Sequence, residues 1–303
     1  MTSFDDLFVS KIPERIATGF VFTEGPLWDP KGFLYVSDVD ASVHYRVFPG
    51  RPESDRVEVI RTESGGANGA TFDANGRLVI CEQDARQVVR YEGDGAISVI
   101  ASRHAGLRLN RCNDIVRKSD GALYFTDPDK KGLPESDKEL GHAAIWRLGI
   151  NGLLELMAKD MNHPNGLAFS PDESRLYVSN SRPDPHLHVY NVAADGRLER
   201  GRLVDEMPYG PRGELDGVPD GLKIDANGRI FSTGPGGIWI WDTDESFIGR
   251  FELPELPANL GWGGADNTDM YVTARTSVYR LGMGIKAKDV VLHLGTRCRY
   301  QAK

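Results

Sequence analysis

The sequence predicts an all-β fold, one six-bladed β-propeller with four-stranded blades over residues 1–303, and three observations predict it. One pattern recurs six times, its copies are a blade-length apart, and each copy holds two β-prone runs joined by turn residues. The copies are Glu24 to Asp38 (EGPLWDPKGFLYVSD), Asn68 to Glu82 (NGATFDANGRLVICE) and Asn113 to Asp127 (NDIVRKSDGALYFTD). Then follow Asn165 to Asn180 (NGLAFSPDESRLYVSN), Asp220 to Gly234 (DGLKIDANGRIFSTG) and Asn259 to Ala274 (NLGWGGADNTDMYVTA). The leading residues advance by 44, 45, 52, 55 and 39 positions, the span of four short strands with loops of variable length.

Within each copy the runs Leu34-Tyr35-Val36, Leu123-Tyr124-Phe125 and Leu176-Tyr177-Val178 are of strand type, and Lys31-Gly32, Asp120-Gly121 and Asn227-Gly228 supply the turns of hairpins. Further strands are expected at Ala144 to Leu148, His188 to Val192, Gly237 to Trp241 and Val278 to Leu281, which brings each unit close to four. A lone blade leaves edges and faces uncovered, so the copies should stack around an axis and close into a ring. Closure is expected between Ile16 to Phe22 and strands near Val290 to Leu294. No linker or low-complexity tract divides the chain, and Trp28, Trp239, Trp241 and Trp262 should pack between blades.

Composition narrows the function. Apolar residues make up 40% of the 303 and charged residues 26%, enough for a core, and 34 Gly with 17 Pro favour many turns over long helices. The formal net charge of −8, with no basic stripe, argues against a nucleic-acid partner and makes a cation the more natural guest. No run has the length of a spanning helix, and the start Met1 to Lys11 carries Asp5 and Asp6 instead of an apolar signal segment. Cys81, Cys112 and Cys298 lack zinc spacing and are odd in number, so a reducing cytoplasm is expected.

In a propeller the innermost strand of each blade lines the axis, so one position per repeat should face a common point. Those residues are Glu24, Asn68, Asn113, Asn165, Asp220 and Asn259, all oxygen donors, with two carboxylates to balance one divalent cation. A turn role is the ordinary reading of any one such Asn or Asp. Six in register, one of them a Glu with no turn chemistry, favour a shared cation site of calcium, magnesium or manganese type.

These residues resemble the senescence marker protein, gluconolactonase and regucalcin family of six-bladed propellers, which includes diisopropyl fluorophosphatase-like enzymes. The resemblance runs over nearly the whole chain, through EGPLWDP at Glu24, RCND at Arg111 to Asp114, GALYFTDP at Gly121 to Pro128, PNGLAFSPD at Pro164 to Asp172 and PDGLKIDANG at Pro219 to Gly228. It implies metal ligands Glu24, Asn165 and Asp220, with Asn113 as a fourth ligand or a substrate contact, Arg111 on substrate oxygens, and Asp220 as general base. Lys223 stands where the phosphatase-like members hold a second calcium through an Asp, which speaks against that second metal here.

The expected activity is metal-assisted hydrolysis of a small ester, a sugar-type lactone first. One divalent ion is expected, calcium before zinc, manganese or magnesium, and a small lactone or ester as substrate, with neither nucleic acid nor membrane as partner and the oligomeric state open. Two alternatives stand beside it, a non-catalytic metal-binding propeller and a phosphotriesterase-like hydrolase. His142 follows an insertion, Lys130 to Gly141, that could cover the axial opening, and its near-neutral titration makes it a candidate substrate contact. Asp38, Asp127 and Asn180 end strands in register and read as turn caps, while Cys112 is either an apolar filler or a pocket-lining residue.

Overall fold

Short β-prone runs pair into six antiparallel sheets of four strands in the computed structural model, which describes residues 3–129, 137–210 and 215–287. The first blade runs outward from Thr23–Asp29 through Phe33–Asp38 and Val43–Val47 to Val57–Thr62. The second is Ala67–Phe72, Leu78–Glu82, Gln87–Tyr91 and Ile97–Ala101; the third is Ile115–Arg117, Leu123–Asp127, Ala144–Leu148 and Leu154–Ala158. The fourth is Pro164–Phe169, Arg175–Asn180, His186–Asn191 and Arg202–Glu206, and the fifth is Leu222–Ile224, Ile230–Gly234, Gly237–Trp241 and Phe247–Phe251. This is the six-bladed β-propeller expected from the repeats.

The sixth blade closes the ring. Its strands Pro257–Gly263, Asp269–Ala274 and Ser277–Gly282 take their outer partner, Glu14–Thr18, from the other end of the chain. Closure therefore starts slightly before the expected Ile16 to Phe22, and its C-terminal partner is Ser277–Gly282; the run Val290 to Leu294 lies outside the described residues.

The inner hairpins turn where the chain is permissive. Gly121 and Gly228 have φ of 90° and 101°, the left-handed region that glycine enters without a Cβ penalty. The Asp that opens a turn accepts backbone N–H groups two residues on, Asp29 from Lys31 and Asp225 from Asn227. Apolar side chains fill the wedges between neighbouring blades: Trp28 stacks on Tyr271 across the closure, and Phe231 meets the edge of Trp262. Trp241 sits between the fourth and fifth blades with its indole N–H donated to Asp205. Cys112 belongs to such a wedge and is fully buried among Val79, Leu109 and Phe125, an apolar filler.

The blades are tied at the axis by two repeated bonds. The N–H of Gly69, Gly166 and Gly221 donates to the carbonyl of Asn113, Asp220 and Ala258 in the next blade, at 2.9, 2.9 and 2.8 Å. A hydroxyl on the second strand supplies the other bond: Ser37 to the Asn68 carbonyl, Thr126 to Asn165, Ser179 to Asp220 and Thr233 to Ala258, at 2.8, 2.7, 2.5 and 2.8 Å. Both sets put Ala258 at the sixth ring position and correct the expected Asn259, which sits one residue farther along. The prolines before Asn165, Asp220 and Ala258 mark the same register in the sequence.

The glycines after Glu24, Asn68, Asn165 and Asp220 let adjacent backbones touch. A Cβ on Gly166 would lie 2.2 Å from the Asp220 carbonyl oxygen, and one on Gly25 would lie 2.0 Å from that of Asn68. Gly166→Ala is therefore expected to lose about 2–3 kcal/mol by forcing two blades apart, read as a lower urea midpoint at unchanged m. An unshifted midpoint would show that the ring tolerates the separation.

Candidate active site

The ring residues enter the axis from the first residues of the inner strands or just before them, and the structure pins that backbone from behind. Asp38 accepts the N–H groups of Val21 and Phe22, ahead of Glu24. Asp127 accepts those of Asn110 and Arg111, ahead of Asn113, and Asn180 accepts that of His163, ahead of Asn165. The three strand-ending polar residues are thus caps, as expected, and each fixes the approach to one ring position. Burial raises Asp127 to about 6, against the opposing hydrogen bonds from Asn110, Trp146 and Arg111.

Glu24, Asn165 and Asp220 come together on the axis. Asp220 is half-buried, while Glu24 and Asn165 are buried. Burial pushes Asp220 well above the usual carboxylate range, and the adjoining Glu24 and Asp114 charges push it further while Asn165 holds it down. Burial likewise lifts Glu24 to about 7, against hydrogen bonds from Asn259 and Gly25. The Asn165 amide nitrogen donates to the Ser181 hydroxyl at 3.0 Å, which leaves its buried Oδ1 without a partner; the Oδ1 of Asn68 is in the same condition. Asn113 stands at its ring position with its carbonyl bonded to Gly69 and its side chain half-buried.

Two touching carboxylates and unpartnered amide oxygens suit a hard cation that prefers oxygen, because the ion would satisfy the orphaned Oδ1 and cancel the carboxylate repulsion. Among the described residues no group of three or more His, Cys, Asp and Glu forms a metal site, so such an ion would need the amides.

Three residues close to this centre have roles that the sequence reading did not give them. Asp114 adds a buried carboxylate to the two counted from the leading residues. Asn259 does not offer its oxygen to the axis: Oδ1 accepts the Leu260 N–H at 2.8 Å, and Nδ2 donates to Glu24 Oε2 at 2.9 Å. Lys223 reaches Asp114 Oδ2 at 3.8 Å. The signal for Asp114 was present in RCND, where it follows Asn113 directly. Asn259 and Lys223 were read for other roles, because these roles depend on pairing across blades.

Arg111 is half-buried with a partnerless Nε, beside an unexpected neighbour. His163 is driven down to about 4 by burial and then by Arg182 and Arg111, with Asp129 acting in the opposite direction. Two guanidiniums thus face a neutral imidazole near Asn165. His142 is placed elsewhere: its carbonyl accepts from the Asn110 side chain at 2.8 Å, its Nδ1 lies 3.0 Å from the Ala143 carbonyl oxygen, and no bond joins it to a ring residue among those described. Positions 130–136 of the expected cover lie outside the described residues.

Comparison with known proteins bears on the family and the fold. Residues 22–276 match the profile described as the SMP-30/Gluconolactonase/LRE-like region. The chain is similar to the gluconolactonase of Zymomonas mobilis, with 32% identity over 91% of this chain and 82% of that protein. Among solved structures it resembles a gluconolactonase of Xanthomonas campestris, with a TM-score of 0.77 and 30% identity over 91% of this chain and 96% of the other. Regucalcin of Agrobacterium tumefaciens, a calcium-binding protein, shares the fold with a TM-score of 0.74 at 20% identity, over 93% and 95% of the two chains.

The buried carboxylates have a cost that depends on pH. Glu24 binds its proton more tightly folded than unfolded between its ordinary 4.5 and about 7, so without a cation stability should fall across that window, by on the order of 3 kcal/mol. Melting scans in EDTA and in calcium should therefore diverge as pH rises, with the calcium-induced increase in Tm larger at pH 8 than at pH 5. Equal increases at both values would contradict the expected linkage.

Proposed function

The chain belongs to the SMP-30/gluconolactonase/LRE-like family, and on that premise we propose that it hydrolyses a sugar-type lactone at the propeller axis, using one divalent cation. In this reading Glu24, Asn165 and Asp220 hold the ion, and Asn113 is a fourth ligand or a substrate contact. The observation that carries it is the meeting of the buried Glu24 carboxylate and the half-buried Asp220 carboxylate, which repel each other, with the partnerless Oδ1 of Asn165. Calcium is the first expectation, since flexible sets of carboxylate and amide oxygens suit it, with zinc, manganese and magnesium as the other choices.

Bound there, the cation would supply Lewis acidity toward the lactone carbonyl. The side chains provide the rest. Arg111, half-buried and with Arg182 nearby, holds the sugar hydroxyls or the carbonyl oxygen and stabilises the charge gathering on it. Asp220 takes a proton from the attacking water as the new C–O bond forms, then returns it to the ring oxygen as the ester C–O bond breaks. The product is the open hydroxy acid. His142, which bonds to Asn110 and Ala143, stands as a substrate contact and not as a ligand. The buried free thiols Cys81 and Cys112 suit a cytoplasmic location.

A panel of aldonolactones, simple esters and a phosphotriester, assayed with EDTA and after metal return, separates this reading from its alternatives. Lactone turnover should vanish with chelator and recover with a divalent ion; silence on every substrate would favour a binding protein. Glu24→Gln and Asp220→Asn should weaken metal binding and lower kcat by roughly 10³-fold, with circular dichroism unchanged. Full metal-dependent activity in either variant would remove that residue from the site.

A further inference from the structure

We propose that Lys223 is a positioning residue for this site: its ammonium anchors Asp114, and through the Asn259 amide that pair sets the direction of the Glu24 carboxylate. The inference rests on the reading of Glu24 as a metal ligand. It begins from a chain of contacts across four blades. Lys223 Nζ donates to the Leu222 carbonyl at 2.9 Å and lies 3.8 Å from Asp114 Oδ2. Asp114 Oδ1 is taken by the Ile115 N–H at 2.8 Å, so Oδ2 is the oxygen left for Lys223 and for Asn259 Nδ2, at 3.4 Å. The same Asn259 nitrogen donates to Glu24 Oε2 at 2.9 Å, where the Gly25 N–H also donates at 2.9 Å.

The amide has one sensible orientation. Its NH2 group faces two carboxylates, Glu24 and Asp114, while its oxygen is fixed by the Leu260 N–H. Asp114, Asn259 and Glu24 are each only 2% exposed, so none can exchange these partners for water. Remove the ammonium and Asp114 becomes a buried carboxylate with no cation, so its Oδ2 draws more strongly on the Asn259 NH2 group 3.4 Å away. An amide pulled toward Asp114 is pulled from Glu24 Oε2, and the grip on that oxygen loosens. Both donors to Glu24 use Oε2, so the network aims Oε1 toward the axis.

The sign of the effect separates positioning from simple charge. An ammonium close to a cation site repels the cation, so deleting it should by itself tighten metal binding. If Lys223 works through Glu24, deletion weakens binding instead, in the 10–100-fold range typical of groups that orient metal ligands. Calorimetric titration of the chelator-treated full chain with calcium and manganese tests this. K223M should bind at least ~10-fold more weakly than wild type and K223R within ~3-fold of it. At saturating metal, K223M should regain the wild-type KM for a lactone. N259A should weaken binding too, and the double variant K223M/N259A should be no worse than the poorer single one, because the residues act in one chain. Binding by K223M that equals or exceeds wild type, or losses that add in the double variant, overturns the proposal. If K223M fails to fold, K223Q carries the same comparison. A wild-type protein that binds no divalent ion would sink the metal reading itself, whereas unchanged binding in K223M sinks only the role of Lys223.

Discussion

The grip that each of the first five blades takes on the next blade's ring carbonyl is what the rest of the molecule depends on. Asp220 shows it most fully: its carbonyl receives the Gly166 N–H and the Ser179 hydroxyl, both from the preceding blade. A backbone held from the side by a neighbour cannot rotate to relieve strain in its own side chain. Asp220 is therefore kept against Glu24 although the Glu24 charge raises its proton affinity. The fold spends stability at the axis and recovers it in the apolar wedges between blades, where Trp241, Phe125 and Leu34 are fully buried.

Much of this was legible in the sequence, for identifiable reasons. Repeats announce a propeller because each blade must solve the same packing problem, so the apolar runs and the turn residues recur at the blade's length. A closed ring turns equal positions in the repeat into equal positions in space, which made six leading residues legible as candidates; the family resemblance singled out Glu24, Asn165 and Asp220 among them. The sixth position misled because Asn259 has the right chemistry one residue late. The apolar run dates the register better: Leu260 matches Leu167 and Leu222, which assigns Ala258 to the ring.

The remainder depended on partners far apart in the chain. Ser37, Thr126, Ser179 and Thr233 are visible in the sequence as strand-ending hydroxyls, yet their acceptors belong to the following repeat. Lys223 looked only like an obstacle to a second metal. Its meaning came from Asp114 and Asn259, one blade on the far side of the axis and one beside it. The axial well thus holds three carboxylates and one fixed ammonium, a balance of charge that single repeats could not reveal.

The strand Glu14–Thr18, paired with Ser277–Gly282, bears on how the protein is born. On the ribosome the early blades can form as their residues emerge, but the last sheet lacks its outer member until residues more than 250 positions apart have met. Until that clasp shuts, Glu24 and Ala258 belong to opposite lips of an open crescent, and no pocket exists. The axial site therefore takes its full form only after Ser277–Gly282 has been made and has met Glu14–Thr18, so its assembly waits on the most distant pairing in the fold.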